Sequence, residues 1–317
     1  MQQKHSMLRI FSIITSIGAY IMLIIGAIVS KTESGKGCGN SWPFCHGQLI
    51  PESLPLETII EYSHRIVSSG VGLLILILTV WSWRAYRENY RVKLLGFLSL
   101  FFVVFQGALG ALTVVFEGDF AKKTSLAFHF GFSLISFASV VLLSIQLFQL
   151  KKGTALENGQ KLESFIGLSK RMHQSIWALA AYSYVVIYTG ALVRHADATM
   201  GCGYQFPGCG AIMFPNISSI AGIHMLHRYA AFSIWILCLI FLIVVIRHHK
   251  NRTKLVKGAW WAFILISLQA VSGVVTILTD GVLVSALAHT TIISIFFTVL
   301  AYLCLQIGWK HQEPEKQ

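Results

Sequence analysis

Glu61-Tyr62-Ser63-His64-Arg65 opens an apolar run that continues to about Trp83, and the reading of this stretch decides the fold. An acid and a histidine three residues apart share one face of a helix, about 60° apart in projection. The run behind them is long enough to cross a bilayer, whose ~30 Å core takes about 20 apolar residues. Ionisable groups at such a depth are costly and mark a function. The stretch has a counterpart, His224-Met225-Leu226-His227-Arg228, at the head of a later apolar run. The His-Arg pair returns there, and His224 stands where Glu61 stood.

The surrounding composition agrees with a membrane protein. Of the 317 residues, 55% are hydrophobic and 12% charged, whereas soluble domains carry about 25% charged residues. Eight spans are expected, at 8–30, 59–83, 93–116, 123–149, 171–194, 221–246, 257–279 and 282–309, which makes the fold class all-α. The first is longer than the apolar core of a signal peptide, and no small-x-small cleavage pattern follows it, so it reads as a helix that stays. A net charge of +12 would suit nucleic acid on a soluble domain. Here most of the 25 Lys and Arg fall in the segments joining spans 2–3, 4–5 and 6–7 and at the termini, as with Arg84, Arg87, Arg91 and Lys93. The positive-inside rule then places both termini in the cytoplasm and turns loops 31–58 and 195–220 outward. No nucleic-acid partner is expected.

An internal repeat runs through the chain. Ile25-Gly26-Ala27-Ile28-Val29 matches Thr189-Gly190-Ala191-Leu192-Val193, and Cys38 and Cys45 match Cys202 and Cys209. His64-Arg65, Gln106 and His129 match His227-Arg228, Gln269 and His289. Each half holds four spans, an even number, so both halves share one orientation. The expected architecture is two pseudo-symmetric four-helix bundles, 1–150 and 171–317, about an axis along the membrane normal. A polar cytoplasmic linker, 151–170, joins them.

His64, His129, His227 and His289 each lie about two turns into a helix that follows an outward segment, ~10 Å from its outer end. A lone histidine in a helix is an ordinary packing residue. Four at repeat-matched positions point to metal or heme ligation. Zinc takes four protein ligands, or three and a water, and each half offers two. Two imidazoles on facing helices suit the axial positions of a heme. Ser68, Ser69 and Gly70, with Ala230, Ala231 and Ser233, would admit a flat macrocycle, although small residues serve helix packing equally. Arg65 and Arg228 either pair with heme propionates or snorkel to lipid headgroups.

The cysteines divide by place. Cys38 with Cys45, and Cys202 with Cys209, are close-spaced in the outward loops and read as structural disulfides worth about 2–3 kcal/mol each. A cysteine pair can also bind metal, and an exposed disulfide can exchange with a thiol carrier. Cys238 and Cys304 read as small packing residues. Among the other histidines, His173 heads the fifth span and is expected at the interface. His46 and His195 fall in outer loops, and His5, His248, His249 and His311 in cytoplasmic segments. No phosphate-binding loop, dinucleotide fingerprint or Ser-His-Asp constellation is present.

These motifs together carry a resemblance. Lys31-Thr32-Glu33-Ser34-Gly35, Gly37-Cys38-Gly39, Trp42-Pro43-Phe44-Cys45-His46-Gly47, Glu61-Tyr62-Ser63-His64-Arg65 and Gln106-Gly107-Ala108-Leu109-Gly110 resemble the bacterial heme A synthases of cytochrome oxidase assembly. Thr189-Gly190-Ala191-Leu192-Val193-Arg194-His195 and Leu287-Ala288-His289 extend the likeness into the second half. The resemblance implies a bacterial cell-membrane enzyme that oxidises the C8 methyl of heme O to the formyl group of heme A. It further implies that His227 and His289 ligate a resident heme b, that His64 and His129 flank the substrate heme, and that Glu61 is the catalytic carboxylate. The implied partners are heme O and the bilayer; heme O arrives either from the lipid or directly from a heme O synthase, and the electron acceptor is left open, with a quinone and a thiol carrier as the candidates.

The residues themselves supply a reason for that division. Both halves offer the same ligand pair but differ beside it, Glu61 against His224. Oxidising a methyl group develops positive charge, which a carboxylate stabilises, or the carboxylate takes a proton from attacking water. The bland reading of Glu61 is an interfacial acid near Arg65 or Arg228. At the level of the whole chain, the alternatives are a di-heme electron carrier and a heme-delivery protein.

Overall fold

The computed structural model describes residues 2–115, 119–151, 168–210 and 212–308. Eight helices follow one another: α1 (Gln2–Lys31), α2 (Leu56–Ala85), α3 (Tyr90–Val115), α4 (Asp119–Lys151), α5 (Lys170–His195), α6 (Ile220–His249), α7 (Thr253–Leu278) and α8 (Leu283–Ile307). Each contains a stretch long and apolar enough to cross a membrane, so the chain is a multi-pass membrane protein. Several helices outrun the expected spans at their polar ends. The helix starting at Leu56 begins before residue 59, and α6 continues through Arg247 to His249. Hydropathy registers only the part inside the hydrocarbon, whereas the backbone ladder continues into the headgroup zone. Most of the expected linker, the end of the last expected span, and His311 lie outside the described residues.

Hydroxyl side chains are frequent in the spans, and several are satisfied within their own helix. Thr15, Ser99, Ser183 and Thr298 donate to the carbonyls of Phe11, Leu95, Leu179 and Ser294, at 2.7–2.9 Å. These four then need no water in the membrane interior. Ser169 and Ser219 cap α5 and α6 by accepting from the amides of Met172 (3.2 Å) and Gly222 (3.0 Å), which meets donors that a helix start leaves free. Gly308, with φ of 72°, closes α8.

The chain divides into two compact units, Met1–Phe148 and Gln149–Gln317. In the first, α2 packs between α1 and α3. The Ser12 and Ser144 hydroxyls join α4 to α1 at 2.9 Å, and Ser136 donates to the Ser99 carbonyl of α3 at 3.3 Å. In the second unit, α5, α6, α7 and α8 pack in sequence, and α8 returns to α5. Its buried apolar core includes Ile176, Ile234, Cys238, Leu255, Phe296 and Leu300. These fill the end of the unit where α5 and α7 begin and α6 and α8 finish. Cys238 and Cys304 are free and buried there, as packing residues should be. His173 lies in the first turn of α5. It is buried in protein and donates from Nε2 to the Gly308 carbonyl at 2.9 Å, beside the Trp177 indole at 3.0 Å. The free carbonyl at the end of α8 takes a partner from α5, which draws the ring inward.

The opposite end of each unit is covered by a disulfide-closed loop. Cys38–Cys45 has Cα atoms 4.5 Å apart, and Cys202–Cys209 has them 4.8 Å apart. Both loops press on the start of the helix that follows. A Cβ at Gly37 would lie 2.3 Å from the Glu57 carbonyl oxygen, and one at Gly201 would lie 2.6 Å from that of Ile220. Only glycine permits so close an approach. Cys38 and Cys45 are both 0% exposed. The first disulfide is therefore not an exposed one, and a thiol carrier reaches it only if the loop lifts. In the second loop, Tyr204 donates to Asp280 at 2.5 Å, and this bond to a carboxylate pushes the phenol above its ordinary range.

Candidate functional site

Each repeat-matched histidine rests against a glycine on the preceding helix. A Cβ at Gly26 would lie 3.2 Å from Cε1 of His64, and one at Gly110 would lie 3.3 Å from Cε1 of His129. In the second unit, the corresponding distances are 2.8 Å from Gly190 to His227 and 3.3 Å from Gly273 to His289. The missing side chain lets an imidazole lie on the neighbouring backbone. An alanine at Gly190 would have to displace the ring.

The hydrogen bonds of these rings settle their tautomers. Nδ1 of His129 meets the Gln106 carbonyl oxygen at 2.8 Å, and a carbonyl can only accept. Thr189 donates its hydroxyl proton to the Val186 carbonyl (2.7 Å), so it accepts from Nδ1 of His227 at 2.9 Å. Ser272 likewise donates to the Gln269 carbonyl (2.9 Å) and accepts from Nδ1 of His289 at 2.8 Å. Each of these three rings carries its proton on Nδ1 and leaves the Nε2 lone pair free, the form in which imidazole binds a metal. His64 is held less firmly. Its Nδ1 has the Ser68 hydroxyl at 3.5 Å, and that hydroxyl is already donating to the His64 carbonyl at 2.6 Å.

The rings pair within each unit. His64 and His129 are close enough to interact electrostatically, and so are His227 and His289. Among the described residues, no three His, Cys, Asp or Glu side chains gather to hold an ion. Two imidazoles per unit fall short of a zinc site but match the number of axial ligands that a heme takes.

Next to the pairs the units differ. Glu61 is 4% exposed, and its Oε2 accepts from the Cys38 amide at 2.8 Å. Its Oε1 accepts from Nε of Arg65 at 3.1 Å and also from Nη2. The remaining nitrogen, Nη1, donates to the Ser41 and Phe44 carbonyls at 2.7 Å each. The acid, the arginine and the disulfide loop thus form one connected clamp. In the second unit His224 replaces the acid and is buried, its Nδ1 without a hydrogen-bond partner among the described residues. Arg228 keeps the loop contacts, with Nη1 donating to the carbonyls of Gln205 (2.7 Å) and Gly208 (2.7 Å). Among the described residues its Nε and Nη2 have no partner and are buried, because no carboxylate stands four residues earlier. Buried guanidinium nitrogens lacking an acceptor are costly, and an anionic propionate would meet that need. With the free Nε2 atoms and the glycine cradles, the second unit fits an iron porphyrin.

The structure brings together the expected pairs, His64 with His129 and His227 with His289. It places Glu61 and Arg65 against each other and leaves Arg228 half free. Of the small residues expected to admit a macrocycle, Gly70 has open space beside it and Ser68 bonds to its own helix. Sequence reasoning missed the glycines that touch the rings, although Gly26 and Gly190 lie in the repeat that was recognised. It also missed Thr189 and Ser272, each of which directly precedes such a glycine.

The chain matches the cytochrome oxidase assembly protein family over residues 9–55 and 52–301. It is 42% identical over 301 residues to heme A synthase of Halalkalibacterium halodurans, covering 95% of this chain and 97% of that protein. It is 39% identical over 303 residues to heme A synthase of Alkalihalophilus pseudofirmus, covering 96% and 98%. With heme A synthase of Bacillus mycoides the identity is 40% over 295 residues, covering 93% and 91%. On these matches, and beside these heme A synthases, the chain belongs to the cytochrome oxidase assembly protein family.

Proposed function

We propose that this chain is a heme A synthase in which the first unit carries the chemistry and the second holds a resident heme b. Its substrate is heme O, whose C8 methyl is oxidised by two successive hydroxylations to a gem-diol that dehydrates to the formyl group. The observation that carries the division is the one carboxylate buried among the described residues. Glu61 lies three residues before His64 in α2, and its counterpart in α6 is His224. A di-heme electron carrier has no use for a carboxylate in one unit only.

His64 and His129 flank the substrate iron and orient the macrocycle. The clamp of Arg65 and the Cys38 amide fixes where the Glu61 charge sits. From there it stabilises positive charge that develops as the methyl group is oxidised or takes a proton from the attacking water. In the second unit, His227 and His289 would hold the heme iron through their free Nε2 atoms, and Nε and Nη2 of Arg228 would be available to a propionate. Heme b, when bound there, supplies one-electron transfer. The electrons leave to a quinone or to the disulfide form of a thiol carrier, and a heme O synthase supplies the substrate.

The orientation belongs to the same reading. Both termini face the cytoplasm of a bacterial cell, and both disulfide loops face outward, where disulfides persist. Reporter fusions in 84–93, 151–170 and 247–257 are expected to register cytoplasm, and those in 31–58 and 195–220 the outside. A cytoplasmic signal from 31–58 would reverse the orientation. The catalytic reading is tested by the hemes extracted from cells that make heme O: this chain adds heme A, whereas a carrier adds none.

A further inference from the structure

The residue preceding each ring-bearing glycine differs between the units. It is Thr189 before Gly190 and Ser272 before Gly273, but Ile25 before Gly26 and Leu109 before Gly110. In the second unit both hydroxyls accept from Nδ1 of a histidine, at 2.9 and 2.8 Å. Each is oriented by its own donation to a backbone carbonyl, so it can only accept from the ring. In the first unit the aliphatic side chains offer nothing. His129 instead takes the Gln106 carbonyl at 2.8 Å, and His64 has only the Ser68 hydroxyl at 3.5 Å.

We propose that this difference decides which heme stays and which leaves: Thr189 and Ser272 are positioning residues that lock His227 and His289 onto a resident heme, and His64 is left unlocked as the releasable ligand. An Nδ1 hydrogen bond fixes tautomer and ring orientation and raises the basicity of the ligating Nε2. Loss of such a partner typically costs 10–100-fold in affinity. A ligand that must let substrate in and product out is better served without it. On this proposal His64 would be the ring free to turn, and His129, held by the Gln106 carbonyl, would keep its orientation. The inference rests on the assignment of hemes to the two units made above. It adds the residues that set their lifetimes.

The test is heme transfer from the purified full-length protein to excess apomyoglobin, with b-type and o- or a-type hemes followed separately. Thr189→Val keeps the shape and removes the hydroxyl. It is expected to speed loss of b-type heme about 10–100-fold and to shift the midpoint potential of what remains, and Thr189→Ser is expected to restore both. The converse variant, Ile25→Thr, is expected to give His64 the missing partner and to slow release of o- and a-type heme without touching the b-type rate. Unchanged b-type loss and potential in Thr189→Val, or unchanged o- and a-type release in Ile25→Thr, would overturn the proposal while leaving the heme assignment intact. Failure of Thr189→Ser to restore them would also overturn it, since the effect would then be one of packing. Absence of b-type heme from the unsubstituted protein would instead overturn the assignment, and this inference with it.

Discussion

Alanine in place of His227 or His289 is expected to abolish the tightly bound b-type heme spectrum of the purified protein. On the proposed assignment, each substitution deletes one of the two histidines that would hold the heme iron of the second unit. Neither loss has a substitute, because among the described residues no third His, Cys, Asp or Glu joins the pair. The cradle fails as well: with the His227 ring gone, Gly190 faces a void where it met Cε1. Cavities of that kind cost stability in addition to the lost bond. Absorption spectra of detergent-purified protein, with protein recovery as a control for folding, read the outcome. His64→Ala in the first unit is expected to leave the b-type spectrum in place. Retention of a full b-type spectrum in His227→Ala would move the resident heme elsewhere.

Glu61→Gln is expected to leave that same spectrum intact and yet to stop heme A formation. The amide is nearly isosteric and keeps an oxygen for the Cys38 amide. It brings no charge, so it neither stabilises a developing cation nor takes a proton from water. Removing one preorganised electrostatic group of this kind typically costs about 10²–10³ in rate. Where the second oxidation leans on the carboxylate more than the first, the hydroxymethyl form of the substrate accumulates. The geometry adds a control that the acid's chemistry alone would not suggest. Glu61 also bonds to Arg65, which holds the Ser41 and Phe44 carbonyls. Intact Cys38–Cys45 linkage and unchanged folding of the variant separate lost chemistry from a sprung loop. Wild-type heme A output from Glu61→Gln protein would reduce Glu61 to a loop clamp.

Much of this architecture is written in local pattern. Length and apolarity alone mark a span, so all eight helices were legible, with errors confined to ends such as Leu56 and His249 where polar turns extend past the hydrocarbon. The histidine pairs were legible because a repeat makes four residues testify to one another. The partners of those residues were not. Whether Glu61 meets Arg65, a lipid headgroup or a ligand depends on how the loop at Cys38 folds back, and loop return is not encoded in helical periodicity. The contact of Gly190 with His227 depends on the separation and rotation of α5 and α6. His173 shows the same limit. Its position at a helix start says nothing of its partner, and the end of α8, distant in sequence, supplies Gly308 and buries it. The orphaned nitrogens of Arg228 follow from one replacement, His224 for an acid, and acquire meaning only beside the clamp in the first unit.

The central claim is that one unit holds a heme for electron transfer while the other transforms one, and the heme inventory of the purified protein tests it most directly. Protein made in cells that supply heme O, extracted and resolved by chromatography, is expected to yield heme b together with heme O and heme A, and the Glu61→Gln protein heme b without heme A. Heme b as the sole heme of the unsubstituted protein would contradict the account and leave an electron carrier in its place.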